Sequence, residues 1–220
     1  MKLQATAIIC AYNEENTITN ILKEISGLHL FKEVIVINDG SIDDTGKLIR
    51  EFKKTNDTVI DVHLPKNEGK GFAMVKGTEL AGSDYLVFID ADLSDFTKKH
   101  VQSLLTPVLN GSADMVLGQA TNTLIPSYIN PFKNLSGQRA LKKSDLMPIL
   151  KKMETVGYGV ETLINMHFRS KKKKVKYVNL KNLKHPTKFH KAKTHQALKE
   201  FIMEGYQIVI TIFTNFKMSI

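Results

Sequence analysis

Residues 85–93, reading Tyr-Leu-Val-Phe-Ile-Asp-Ala-Asp-Leu, constrain this chain more than any other stretch. From Tyr85 to Ile89 every side chain is apolar, aromatic or β-branched, which fits a strand buried on both faces of a parallel sheet better than an alternating surface strand. The run ends on two carboxylates, Asp90 and Asp92, on either side of the small Ala91. A chain turning outward at the carboxyl edge of a sheet aims both acids into one cleft, where open α/β sheets hold ligands. Neighbouring carboxylates repel unless a cation sits between them, and hard oxygen donors suit Mg2+ or Mn2+ carrying a substrate phosphate. A solvated acidic turn is the competing interpretation. The remaining loops decide between the two.

At 220 residues and 42% hydrophobic content the chain is long and apolar enough for one large domain with a real core. Its single cysteine, Cys10, lies in an apolar run and has no intrachain partner, which favours a core role and a reducing compartment, the cytoplasm. The first ten residues lack the pattern of a signal peptide, and no run of about 18 apolar residues predicts a membrane span. The net charge of +9 conceals a division: residues 1–120 carry 12 Lys+Arg against 17 Asp+Glu, and residues 121–220 carry 19 against 5. An acidic half can hold a cation, while a basic half can face phosphates or an anionic membrane surface. The Lys171–Lys174 run reads as a solvated turn, and no nucleic-acid-reading module accompanies it.

The first half alternates strand and helix signals. Strands are predicted over 5–11, 33–38 and 59–64, each followed by apolar residues at helical spacing: Ile18, Ile21, Leu22 and Ile25, then Leu48, Ile49 and Phe52, then Phe72, Val75 and Leu80. That rhythm implies right-handed crossovers and a mostly parallel Rossmann-like α/β sheet with helices on both faces. A helix over about 97–109 and a strand over 113–119 come next. Residues 120–136 break the pattern with two prolines and three asparagines, the mark of a functional or mobile loop. Helical signals return over 137–153 and 159–168, a late strand over 174–180, and a final helix over about 194–216. The apolar stretch of that final helix fits burial, a homodimer contact or shallow membrane contact. We take 1–118 and 119–220 as two binding halves of the same single domain.

Four loops leave the carboxyl ends of the predicted strands. The first offers Tyr12, Asn13 and Glu14 after Ala11. The second places Asp39 directly after an apolar strand and beside Gly40. The third has Lys66 and Lys70 bracketing Asn67, Glu68 and Gly69, with Gly71 bare enough for backbone to approach a ligand. The fourth carries the two aspartates. Singly, each is ordinary turn chemistry; converging on one edge, aromatic, carboxylate, lysine and cation site describe a pocket for a nucleoside diphosphate.

Ala-Tyr-Asn-Glu-Glu after the first strand, Asn-Asp-Gly-Ser-Ile-Asp-Asp-Thr after the second, and Phe-Ile-Asp-Ala-Asp-Leu resemble the family 2 glycosyltransferases of the GT-A fold, whose second loop usually has Asp where this chain has Asn38. The resemblance implies that Asp39 holds the nucleotide base, that Asp90 and Ala91 lie near the ribose or metal, and that Asp92 ligates the metal through the sugar nucleotide's diphosphate. Leu-Pro-Lys-Asn-Glu-Gly-Lys-Gly, the 134–141 stretch with Gly137, Gln138 and Arg139, Gly-Tyr-Gly-Val-Glu and the 182–189 stretch are similar to glucosyl-3-phosphoglycerate synthases. That likeness implies that Lys70, Glu161 and His185 line the site, His185 at the metal. The Asp-Ala-Asp-Leu and Gly-Gln-Arg-Ala-Leu segments are equally similar to polyprenyl-phosphate glycosyltransferases.

These readings imply a Mg2+- or Mn2+-dependent transfer of a hexose from a nucleoside-diphosphate sugar. Asp92, Lys70 and Glu161 are its catalytic candidates, and Lys66 or Lys70 assists the departing diphosphate. Arg139, Lys142, Lys143 and Lys188 suit an anionic acceptor, either a polyprenyl phosphate at a membrane face or a soluble phosphorylated acid, and an ionised phosphate oxygen needs no catalytic base. Rival readings are nucleotidyl transfer, which also uses Gly/Lys loops and carboxylate-bound Mg2+, and a non-catalytic nucleotide-sugar sensor.

Overall fold

The computed structural model describes residues 5–120, 137–184, 210, 211 and 214. Strands β1 (Ala5–Ala11), β2 (Glu33–Asn38), β3 (Val59–His63) and β4 (Tyr85–Asp90) alternate with helices α1 (Ile18–Gly27), α2 (Thr45–Lys53) and α3 (Lys70–Leu80). Helix α4 (Lys98–Leu109) leads into β5 (Met115–Ala120). Beyond residue 136 come β6 (Arg139–Lys142), short helices α5 (Lys143–Leu146) and α6 (Leu150–Met153), helix α7 (Val160–Ser170) and β7 (Val175–Leu180). The strands form one sheet in the order β3-β2-β1-β4-β6-β5-β7. All neighbours run parallel except β6, which is antiparallel to both β4 and β5.

Burial follows the two-residue alternation of a strand, but here both faces are covered. On one face Ile9, Val36 and Val87 pack with Ile18, Ile21, Leu22 and Ile25 of α1, Ile49 of α2, and Val101, Leu104 and Leu105 of α4. On the other, Ile8, Ile35, Leu86 and Phe88 pack with Ala73 and Met74 of α3 and with Leu163, Ile164 and Phe168 of α7. Each fully buried aliphatic side chain contributes roughly 1.5–3 kcal/mol of hydrophobic stabilisation before entropy is subtracted. The core therefore fixes the strand ends rigidly. The register sets Ala11 opposite Asn38 and Cys10 opposite Asp90, so the loops after β1, β2 and β4 start at one level.

The predicted helix over 137–153 is a correction. Residues 139–142 form β6, pairing Phe88 with Arg139 and Tyr85 with Lys142 on one side and Val116 with Ala140 on the other. Ala, Leu and Lys are good helix formers, but β4 and β5 both need a partner along their inner edges, and tertiary pairing overrides propensity. The segment after β6 is broken at Pro148, which lacks an N–H for an internal helical bond, into α5, a 3-10 turn over Met147–Ile149 and α6. The 120–136 loop beyond Ala120, His185, Lys188 and most of the predicted final helix lie outside the described residues; Ile210, Thr211 and Thr214 are helical.

Candidate active site at the carboxyl edge of the sheet

Asp90 closes β4 at the middle of the sheet, and both of its oxygens are engaged. Lys70 Nζ donates to Asp90 Oδ1 at 2.9 Å, and Gln138 Nε2 donates to Asp90 Oδ2 at 2.5 Å. The same ammonium donates to Glu161 Oε1 at 2.6 Å. Arg139, completely buried, places its guanidinium 3.9 Å from Glu161 Oε2. Three elements distant in sequence thus meet in one charge network: the first residue of α3, the end of β4 and the first turn of α7, with the start of β6 beneath them. Two glycines make the approach possible. A Cβ on Gly137 would lie 2.2 Å from Asp90 Oδ1, and one on Gly71 would lie 2.1 Å from the Met153 carbonyl oxygen. Gly71 therefore admits the backbone at the end of α6, where its lack of a side chain suggests room for a ligand.

The loops after β1, β2 and β3 are laced together. Asp39, buried at the end of β2, accepts the Glu68 N–H on Oδ1 at 2.8 Å and the Gly69 N–H on Oδ2 at 2.9 Å, which pins the loop that opens α3. Gly40 has φ +67°, and a Cβ there would sit 2.1 Å from the Lys66 carbonyl carbon, so the second and third loops touch backbone to backbone. Asn13, itself at φ 54°, donates its N–H to Ser41 Oγ at 3.0 Å and accepts the Ile42 N–H on Oδ1 at 3.0 Å. The Glu14 N–H donates to Thr45 Oγ1 at 2.7 Å, and the Glu14 carboxylate accepts from Thr17 at 2.8 Å.

Electrostatics separate the roles. Burial pulls the Lys70 ammonium down, but Asp90 and Glu161 outweigh it and hold the group well above its ordinary 10.5. Lys70 is therefore a fixed cation and no candidate base. Burial pushes the Asp39 carboxyl up, opposed by the two backbone N–H groups it accepts. Burial also lowers the Arg139 guanidinium, countered by Glu161 and Asp90, yet an arginine stays charged in proteins.

Of the residues singled out from sequence, Ala11, Tyr12, Asn13, Glu14, Asp39, Lys70, Asp90, Ala91, Asp92, Gly137, Gln138, Arg139 and Glu161 all lie on β-strand ends, or on loops and helix starts tied to that edge. Glu161 is buried and accepts Lys70, so its position in the first turn of α7 serves more than its own helix. Lys66 turns outward: its side chain is 74% exposed and its ammonium is 3.5 Å from Glu68. Lys66 thus stands apart from the carboxylates that hold Lys70. Thr45, Ser41 and His63 were missed; their side chains bond groups of other loops or strands, which local spacing cannot show.

The donor chemistry of the Asp90–Asp92 turn fits a hard divalent ion. Asp92, half-buried on the turn, and Asp90, held by Lys70 and Gln138, both bring carboxylate oxygens there. Lys184, which precedes His185 in sequence, pairs backbone to backbone with Ser94 at 3.1 and 3.2 Å, so the described stretch 137–184 ends beside this turn. Among the described residues no three His, Cys, Asp or Glu side chains form a metal cage. Mg2+ is commonly held by one or two carboxylates plus substrate phosphates, which such a site matches.

The fold is an open, mostly parallel α/β sheet with its polar residues gathered at the carboxyl edge. The family model for Glycosyl transferase family 2 matches residues 6–193, and the chain belongs to that family. It is 31% identical over 171 residues to a poly-beta-1,6-N-acetyl-D-glucosamine synthase of Staphylococcus aureus, a match covering 77% of this chain and 40% of the relative. The chain thus spans less than half the length of that relative. An uncharacterised protein of Methanocaldococcus jannaschii is 38% identical over 127 residues, 56% of this chain and 54% of that one. Among solved structures, glucosyl-3-phosphoglycerate synthase of Mycobacterium tuberculosis with phosphoglyceric acid superposes with a TM-score of 0.74 at 24% identity, covering 96% of this chain and 79% of that one. The same enzyme with Mn2+ and UDP-glucose gives 0.73 at 23%, covering 96% and 78%. At these identities the structural likeness establishes the GT-A type of fold.

Proposed function

We propose that this chain transfers a hexose from a nucleoside-diphosphate sugar to a phosphate-bearing acceptor, with Mg2+ or Mn2+ as cofactor. The observation that carries the reading is the Lys70 ammonium held between Asp90 and Glu161 where the strand-end loops converge. An ammonium has three N–H donors. Two are spent on carboxylates, and the third is available to a diphosphate or sugar oxygen. When bound, the cation neutralises charge growing on the departing diphosphate. Asp92 and His185 would hold it.

The chain's own residues do the rest. Asp39 and the loop it pins receive the nucleotide base, and Lys70 adds a fixed positive charge at the bond that breaks. The electron pair of that bond leaves with the diphosphate, and an acceptor oxygen closes on the anomeric carbon. Glu161, anchored by Lys70 and flanked by Arg139, orients a sugar or acceptor hydroxyl. Where the attacking atom is a phosphate oxygen it arrives already ionised and needs no base, whereas an acceptor hydroxyl must release its proton to the departing diphosphate or to solvent as the new bond forms. The solved relatives carry UDP-glucose with phosphoglyceric acid or with glycerol 3-phosphate, and these ligands support a phosphorylated acid as the acceptor here.

Thermal melts with UDP-, GDP- and ADP-sugars, each with Mn2+ or Mg2+, test the donor site. Saturation at about a hundred times Kd stabilises by roughly 2.7 kcal/mol, which for a chain of this size raises Tm by about 5–10 °C. Product analysis with 3-phosphoglycerate and with a polyprenyl phosphate then separates the acceptors. Asp92→Asn is expected to lower turnover at least about a hundredfold, the scale of one removed electrostatic contact in a transition state, while nucleotide affinity falls far less. A screen in which no donor with either ion shifts the melt would overturn the assignment.

A further inference from the structure

Beside the candidate pocket, on its β3 side, lies a hydrogen-bond chain whose proton positions are fixed by its ends. The Ser41 N–H reaches Asn38 at 3.1 Å and needs an acceptor, so the facing atom is Asn38 Oδ1 and the amide Nδ2 turns to His63 Nδ1, 3.1 Å away. An amide only donates there, so Nδ1 must carry a lone pair. The ring proton then sits on Nε2, 3.0 Å from Asp61 Oδ2. Asp61 is ready to accept it: burial raises that carboxyl, but Lys53 and His63 outweigh burial and hold it below its ordinary value. Arg50, on α2, brings a second donor to Nδ1 at 3.4 Å. The chain continues through Ser41, whose Oγ accepts the Asn13 N–H, so Asp61, His63, Asn38, Ser41 and Asn13 link the ends of β3, β2 and β1.

We infer that His63 is a positioning residue for the nucleotide pocket, holding the Asp39–Ser41 turn through Asn38 only while its imidazole is neutral; this rests on the donor-binding reading above. Protonation would put an N–H on Nδ1, facing the Asn38 amide and the Arg50 guanidinium, both donors. Asp61 accepts from the ring on its Nε2 side, and Arg50 and Lys53 bring positive charge from α2. A protonated ring costs the turn its tie to β3, and donor affinity falls with it. Asn38 is matched to a neutral ring: an aspartate at 38 would hold the imidazolium instead and reverse the sign.

Calorimetry of UDP-glucose binding with Mn2+ between pH 8 and 5.5 tests this, since that diphosphate, esterified at both ends, keeps its charge across the range. In the parent protein affinity is expected to fall about tenfold or more toward pH 5.5, the equivalent of about 1.4 kcal/mol. His63→Asn keeps an acceptor for Asn38 that cannot be protonated, and its loss of affinity over the same range should be at least about fivefold smaller than the parent's. Asn38→Asp should bind more weakly at pH 8 than at pH 5.5. In the ligand-free protein, nitrogen NMR should report the Nε2–H tautomer, with the Asn38 amide titrating alongside the ring. An acid-induced loss that survives unchanged in His63→Asn, or an Nδ1–H tautomer, overturns the inference. Parent binding that ignores pH overturns the inference alone, whereas no binding at pH 8 overturns the donor reading and the inference with it.

Discussion

The Lys70 network allows a quantitative test of whether Asp90, Glu161 and the helix starts form one unit. Lys70→Met keeps the aliphatic stem and removes two charge-assisted hydrogen bonds, of 2.9 Å to Asp90 and 2.6 Å to Glu161. Breaking a buried ion pair by deleting one partner costs about 3–5 kcal/mol. The side chains here are 25%, 20% and 10% exposed, and Gln138 and Arg139 remain beside the orphaned carboxylates, so the loss should fall to about 2–4 kcal/mol. Glu161→Gln keeps an oxygen for Lys70 but loses the charge, costing about 1–2 kcal/mol. If the three groups share one field, the double variant should fall short of the sum by about 1–2 kcal/mol, well beyond the 0.3–0.5 kcal/mol within which independent sites add. Urea unfolding of the four proteins at pH 7.5, with the slope m unchanged across the set, measures that coupling. Additivity within about 0.5 kcal/mol would show that the contacts carry no joint energy and refute the network as the organiser of the site.

The same geometry sets three further outcomes. Because the folded-state value of Lys70 is raised above 10.5, its contribution to stability is complete below that pH and is lost as pH rises through the folded value; the gap between parent and Lys70→Met should hold constant from about pH 7 to 10 and shrink only above about 10.5 in thermal melts. Gly137→Ala would set a Cβ 2.2 Å from Asp90 Oδ1 and should cost about 1–3 kcal/mol by denaturant unfolding and abolish transfer; an active, equally stable variant would contradict the close approach. Cys10 is half-buried, and desolvation pushes its thiol up to about 12, so iodoacetamide at pH 8 should label it far more slowly than a free thiol, and labelling at the free-thiol rate would contradict that shift.

Much of this arrangement was legible in the sequence because it is local. Strands β1 and β2 fall on the predicted residues, β3 differs by one, and the helical spacing of Ile18, Ile21, Leu22 and Ile25 marks the buried face of α1. What could not be read is non-local. The Ala-Leu-Lys-Lys segment after Arg139 carries helix-forming residues, and only the vacancy between β4 and β5 makes a strand of residues 139–142. Gly71 signals a close approach without saying to what, and the answer, the Met153 carbonyl, lies 82 positions on.

The candidate site shows the same limit at the level of single side chains, and its geometry bears on how such a pocket is built. Sequence marked Asp39, Lys70, Asp90 and Glu161 as ligand-facing, yet each is also bonded to protein: Asp39 to the N–H groups of Glu68 and Gly69, and Lys70 to both acids. An unpaired buried charge costs several kcal/mol, so groups at this edge must be satisfied by one another before a substrate arrives. A carboxylate that accepts two backbone N–H groups retains further lone-pair capacity, and an ammonium with two acceptors retains a third donor. The protein contacts therefore fix where the remaining capacity points. This is preorganisation in the electrostatic sense, with donors and acceptors held in place before charge develops on a bound group. Gly40 and Gly137 keep that geometry open: a Cβ at 137 would meet the Asp90 carboxylate, and one at 40 would meet the Lys66–Asn67 backbone of the loop that Asp39 pins.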